Sequence, residues 1–192
     1  KAKYVVARMG DLRARPLLLS YIDDLLDDEI LEEDLGNPFF IYHVMVDAWL
    51  RRECAKEDIT FNKSGLLKTC QTIAQHITKY ETRKIDQIEL EKLLDSSELV
   101  EGLESIDIGG RSLLNKNSDG QFIFSHQSFQ EFLVVQTLRD KSPWVFPHAT
   151  DMMATFMRST ELNGACLAYA NLENADLTGV TLIGAKLENA YL

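Results

Sequence analysis

Four histidines (His43, His76, His126, His148) and three cysteines (Cys54, Cys70, Cys166) offer this chain its widest choice of chemistry. A metal site needs several such ligands within one helical turn or one tight loop, and none of these residues stands at ligand spacing to another. His43, Asp47 and Arg51 lie four apart on one helix face. A base, a carboxylate and a cation in line suggest acid–base work. The same spacing is that of a surface ion-pair stripe worth about 0.2–0.5 kcal/mol per pair, and that is the simpler expectation. Ser125 and His126 are adjacent, but no nucleophile elbow surrounds them. Gly109-Gly110-Arg111 is a turn rather than a phosphate cradle. The chain has no G-x-x-x-x-G-K-[ST] run and no identifiable Walker B strand. Without those parts there is no phosphate grip and no magnesium site. No catalytic residue and no metal ligand is assigned, and the chain is expected neither to hydrolyse ATP nor to bind it tightly.

Composition narrows the classes further. The 192 residues carry a formal net charge of −10, which disfavours nonspecific attraction to nucleic acid or anionic lipid. Much of that charge lies in the run Asp23 to Asp34, interleaved with Leu25, Leu26, Ile30 and Leu31, the pattern of a solvated helix face followed by a loop. An odd cysteine count without short spacing argues against a disulfide framework and for a reducing, cytoplasmic compartment. No apolar run reaches the roughly 18 residues that a membrane span needs, and no signal peptide is recognisable. The chain begins at Lys1 and closes at Leu192 on a repeat position, as expected of a piece cut from something longer.

The elements that must position these residues fall into two kinds. From Leu162, leucine returns every five residues, at Leu167, Leu172, Leu177, Leu182, Leu187 and Leu192. Two residues before each stands a small one: Ala165, Ala170, Ala175, Val180, Ala185 and Ala190. A period of five matches neither the helix nor the strand. It requires a chain that turns a corner after each short extended segment, with the leucines and small residues forming the interior and successive coils stacking. Ala170-Asn171-Leu172-Glu173-Asn174 and Ala175-Asp176-Leu177-Thr178-Gly179 resemble the pentapeptide-repeat family and its A(D/N)LXX consensus. That resemblance implies a right-handed, four-sided β-helix with four pentads per coil. Some members of the family mimic DNA, but the outward residues here are only mildly acidic and the coil is short. Met152 and Met157 share the leucine register, so the first coil is expected to begin near Met152.

Upstream the periodicity is helical. Pro16 stands at a helix start, Pro38 to Cys54 reads as a nearly all-apolar helix, and Ser64 is the expected cap of a third. Short helices are expected at Ile88–Leu94 and Ser97–Glu104. A hairpin follows around Asn117-Ser118-Asp119-Gly120, and then a helix with a Ser128–Glu131 capping box. Three helices and a two-stranded wing in that order describe a winged helix. The fold class is therefore mainly α with a winged-helix (α+β) module, followed by a short β-helix. The helix in the DNA-recognition position carries Glu98, Glu101 and Glu104 and no cation, which argues against groove binding.

Arg15-Pro16-Leu17-Leu18-Leu19, Trp49-Leu50-Arg51-Arg52-Glu53 and the stretch from Phe122-Ile123-Phe124-Ser125-His126 to Phe132 together resemble the helical domain and winged helix of NACHT-type signalling NTPases of the STAND class. In bacteria these often precede a repeat sensor. The resemblance implies a helical domain over 1–60, a winged helix over 61–145 and the start of the repeat region over 146–192. It also implies an upstream P-loop domain that binds ATP or ADP with magnesium, with Pro16 against the adenine and His126 toward the β-phosphate. The expected function is a non-catalytic regulatory fragment that couples nucleotide state to a repeat sensor binding a protein or a second copy of itself. A winged-helix DNA-binding regulator and a plain repeat interaction module are the alternatives.

Overall fold

A computed structural model describes residues 3, 6, 7, 19, 21–27, 34–56, 62–94, 113–139 and 147–192. Its elements, numbered in chain order among those residues, are α1 (Ile22–Asp27), α2 (Pro38–Cys54), α3 (Lys63–Lys79), α4 (Gln87–Leu94), β1 (Leu114–Lys116), β2 (Phe122–Phe124), α5 (Gln127–Arg139) and α6 (Asp151–Arg158). The described residues are mainly helical, with one small two-stranded sheet and a run of five-residue turns toward the C-terminal side. Pro16, Arg15 and the expected helix at 97–104 lie outside the described residues.

Helix α2 starts as its sequence dictates. The Asn37 carboxamide oxygen accepts from the Phe40 N–H at 3.0 Å, and Pro38 fills a first-turn position where a missing N–H costs nothing. Apolar on almost every side, α2 is buried from Phe39 to Leu50 except at His43 and around Phe40 and Asp47. Helix α3 begins two residues earlier than Ser64 suggests. Asn62 is the cap, its side chain accepting from the Gly65 N–H at 2.7 Å. Leu66, Cys70, Ile73, Ala74 and Ile77 form its buried stripe.

Helix α5 packs between them and is buried nearly all round. Its polar side chains are consequently paired, because an unmatched buried amide or hydroxyl costs about 1–3 kcal/mol. Gln71 donates to Gln136 at 3.1 Å, Gln75 to Thr137 at 3.1 Å, and Gln130 to the Thr78 hydroxyl at 2.7 Å. Tyr42 is the hub of the aromatic core, with ring centroids 5.4 Å from Phe129, 5.9 Å from Phe132 and 4.8 Å from Phe156.

Leu114, Asn115 and Lys116 pair antiparallel with Phe124, Ile123 and Phe122. Successive residues of β2 point their backbone groups to opposite sides, so Phe122 is available to a third segment. Ile85, between α3 and α4, takes both its bonds, at 3.0 and 2.8 Å. The hairpin turns on Gly120 (φ +76°), with the Asn117 carboxamide accepting from the Asp119 and Gln121 N–H groups.

The stretch from Met152 to Met157 is helical, which corrects the expectation that a coil begins there. Thr150 caps α6 through the Met153 N–H at 3.1 Å. Met153, Phe156 and Met157 then bury at i, i+3 and i+4, a helical spacing that outweighs the five-residue coincidence of the two methionines. Beyond α6 the period of five takes over. Each leucine carbonyl from Leu162 to Leu187 accepts from the N–H three residues on, those of Ala165, Ala170, Ala175, Val180, Ala185 and Ala190, at 3.0–3.1 Å. The third residue of each turn has positive φ: Gly164, Tyr169, Asn174, Gly179, Gly184 and Asn189. One positive φ at that position is the mark of a type II turn. Parallel bridges join Glu161 to Thr181, Cys166 to Lys186 and Asn171 to Tyr191. The chain thus returns over itself after four pentads. Leu162, Ala165, Leu167, Ala170 and Leu172 are buried and belong to a core continuous with that of the helices. Ala175, Leu177, Val180, Leu182, Ala185 and Ala190 are half-buried, while Leu187 is 36% and Leu192 79% exposed.

Candidate functional site

Between β2 and α5 the chain must turn from an extended to a helical course within Ser125 and His126. His126 makes the turn itself. Its Nδ1 accepts from the Ser128 N–H at 3.2 Å and lies 2.7 Å from the Ser128 hydroxyl, which accepts from the Tyr42 phenol at 2.7 Å. Imidazole therefore does the capping expected of a Ser128–Glu131 box, and Ser128 is inside the helix. The order of donors, Tyr42 to Ser128 to Nδ1, favours the neutral ring with its proton on Nε2. Glu131, freed from capping, is buried, and its Oε1 accepts from Gln127 at 3.0 Å and Thr150 at 2.8 Å.

His126 is exposed on the wall of a cleft of about 460 Å³, between the C-terminal end of α3, the start of α5 and the segment before α6. Arg83, Gln130 and His148 line the same cleft. Neither Arg83 nor His148 has a sequence signature, and their spacing to His126 is irregular. Only the packing of α3, α5 and α6 brings them together. The 147–151 segment also binds the repeat. The Ala149 N–H donates to the Asn171 carbonyl at 2.9 Å, while Thr150 bonds Glu131.

Several of the other chemistry-bearing residues are held by local partners. Asp47 holds Arg51 at 3.1 Å and also pairs with Lys63, the ion-pair stripe its spacing suggests; the His43 ring lies 3.5 Å from the Gln136 amide. His76 pairs with Glu89 at 3.0 Å. All three cysteines are free thiols. Burial, with a smaller contribution from the Glu53 charge, pushes the Cys70 thiol up to about 12 and raises Cys54 as well. Among the described residues no group of three metal-ligating side chains forms, and no helix is long and apolar enough to cross a membrane.

On the repeat surface the Asn/Asp position of each A(D/N)LXX unit has a stated job. Asn171 accepts from the Glu173 N–H at 3.0 Å and Asp176 from the Thr178 N–H at 3.1 Å. The Thr178 side chain and N–H together, with the Arg158 guanidinium nearby, hold the Asp176 carboxyl below the usual carboxylate range. Ile183, Tyr191 and Leu192 are largely exposed around the second turn of the repeat.

Residues 157–192 match the family described as Pentapeptide repeats, in eight copies. That part of the chain is a pentapeptide-repeat region, and such regions are often protein-interaction regions. The match does not extend to the segments that carry the NACHT-type resemblance. No curated protein and no solved structure matches the chain.

Proposed function

We propose that this chain is a non-catalytic regulatory module in which the pentapeptide region recognises a protein and the helical part responds to nucleotide held by an upstream P-loop domain. The observation that carries this reading is the 147–151 segment. It forms a wall of the cleft beside His126 and is bonded through Ala149 to the first turn of the repeat. A change on one side therefore has a short, hydrogen-bonded route to the other.

Several finer readings belong to the same proposal. The four-pentad return supports a four-sided β-helix, whose right hand follows from the family resemblance. The Ile85 bridge beside the hairpin, between two helices and ahead of α5, supports a winged helix over 61–145, after a helical domain over 1–60. In the parent protein His126 would face the β-phosphate of ADP, and Pro16 the adenine. Magnesium and the phosphate grip would come from the P-loop domain, and the compartment would be cytoplasmic. The gene upstream of Lys1 tests this: a P-loop within a few hundred codons supports it, and a natural start at Lys1 sinks it. Robust ATP turnover by the purified chain would overturn the non-catalytic part.

A second reading, self-association through the repeat, has its own support. Ile183 and Tyr191 are large apolar side chains exposed on the outward surface of the repeat, a patch that a second copy would cover. Light scattering across a hundredfold range of concentration tests it, and a constant monomer mass rejects it.

A further inference from the structure

We infer that Arg83 and His148 complete, with His126, a binding site for a diphosphate-type anion, and that its occupancy is passed to the first turn of the repeat. The inference rests on the phosphate-facing reading of His126 and adds to it two residues and a direction of coupling.

The cleft has the size of an ordinary small-ligand site, roughly 300–1,000 Å³, at about 460 Å³. Three separate segments supply its donors: Arg83 beyond the end of α3, His126 at the start of α5, and His148 before α6. Arg83 and His148 are exposed, and neither makes an ion pair or hydrogen bond among the described residues. A guanidinium that is not already committed and an imidazole from another segment lining the same cleft suit a multidentate oxyanion. The 13-residue helix α5 adds its positive N-terminal end on the same side. Two carboxylates also line the cleft. Glu131 is only 7% exposed, and its Oε1 is taken by Gln127 and Thr150. Glu81 is exposed near Arg83, and its charge weakens the site without closing it.

The coupling follows from adjacency. His148 precedes Ala149, whose N–H bonds Asn171, and Thr150, which both bonds Glu131 and caps α6. An anion drawn against His148 moves the residue next to the backbone bond that holds the repeat.

Pyrophosphate is the probe, titrated into the full chain and followed by NMR of the histidine side chains and backbone amides. His126 and His148 should shift together with one dissociation constant, and the Ala149 amide with them. Arg83→Gln should weaken binding about tenfold or more. Lys84→Gln, an exposed neighbour outside the cleft lining, should change it by about twofold or less. If His126 alone shifts and Arg83→Gln has no effect, this inference is overturned while the phosphate-facing His126 stands. If neither histidine shifts at about 10 mM pyrophosphate, which corresponds to affinity weaker than a few kcal/mol, this inference falls, while the role of His126 beside a P-loop domain is decided by the upstream gene. Equal shifts with adenosine, or equal weakening by Lys84→Gln, overturn the anion site. Histidine shifts with a motionless Ala149 amide overturn the coupling.

Discussion

Gly179→Ala and Gly36→Ala make the same chemical change in the same empty space. A Cβ at either position meets no atom within 4 Å, so neither substitution creates a clash. They differ in backbone: Gly179 has φ +79° as the third residue of a pentad turn, and Gly36 lies outside the left-handed region. Forcing an L-residue into the left-handed region costs roughly 1–2 kcal/mol. Restricting the unfolded chain returns about 0.4–1 kcal/mol. Gly179→Ala should therefore destabilise by about 1 kcal/mol, and Gly36→Ala should be neutral or stabilising by up to about 1 kcal/mol. For a chain of this length the two melting points should separate by about 2–8 °C, at about 2–4 °C per kcal/mol. Thermal unfolding followed by circular dichroism, with hydrogen exchange of the repeat amides, reads both. If the two variants shift equally, or Gly179→Ala has no cost, the account of the pentad turn as a positive-φ device is wrong.

Leu167→Ala should destabilise by about 3 kcal/mol in urea titration because the side chain is buried, while Leu187→Ala, 36% exposed, should cost about 1 kcal/mol or less. Ser128→Ala should cost about 1–3 kcal/mol, since it strands the buried Tyr42 phenol and removes a partner of His126 Nδ1; a neutral result by denaturation would refute the relay. Cys70 gives a pH dependence. Its folded-state value is raised from 9.0 to about 12, so the unfolded state loses its proton first. The stability present below about pH 9 should fall as pH rises, by up to about 1.4 kcal/mol per unit. Cys70→Ala should flatten that decline between pH 9 and 10.5.

What the sequence reveals depends on whether a signal is local. The repeat is legible because its leucine and alanine positions recur regardless of what packs on it, and the Asp47–Arg51 pair because it lies within one helix. The sixfold recurrence of positive φ was also visible in principle, as Gly164, Asn174, Gly179, Gly184 and Asn189 one pentad apart, with Tyr169 as the exception that hides it. Met152 misleads as a coil start because the Thr150 cap and the Met153–Phe156–Met157 stripe decide for a helix over 151–158, while the repeat match itself begins at Met157. The Ser128 capping box fails for a different reason. Tyr42, distant in sequence, claims the hydroxyl, and the His126 ring takes over the backbone N–H. Arg83 and His148 could not be singled out at all, since only tertiary packing places them beside His126.

The twenty-residue return has a consequence for how such a chain can change length. One added pentad keeps every leucine inside but advances all later residues by one side of the coil. The partner that Cys166 finds in Lys186 would then be a different residue, and each outward side chain would face a new direction. Four added pentads restore every facing pair and every direction, and only height is gained. Insertions that are not a multiple of five break the turn register outright. Length in this region is therefore quantised at two levels: five residues preserve the interior, and only twenty preserve the surface that a partner reads.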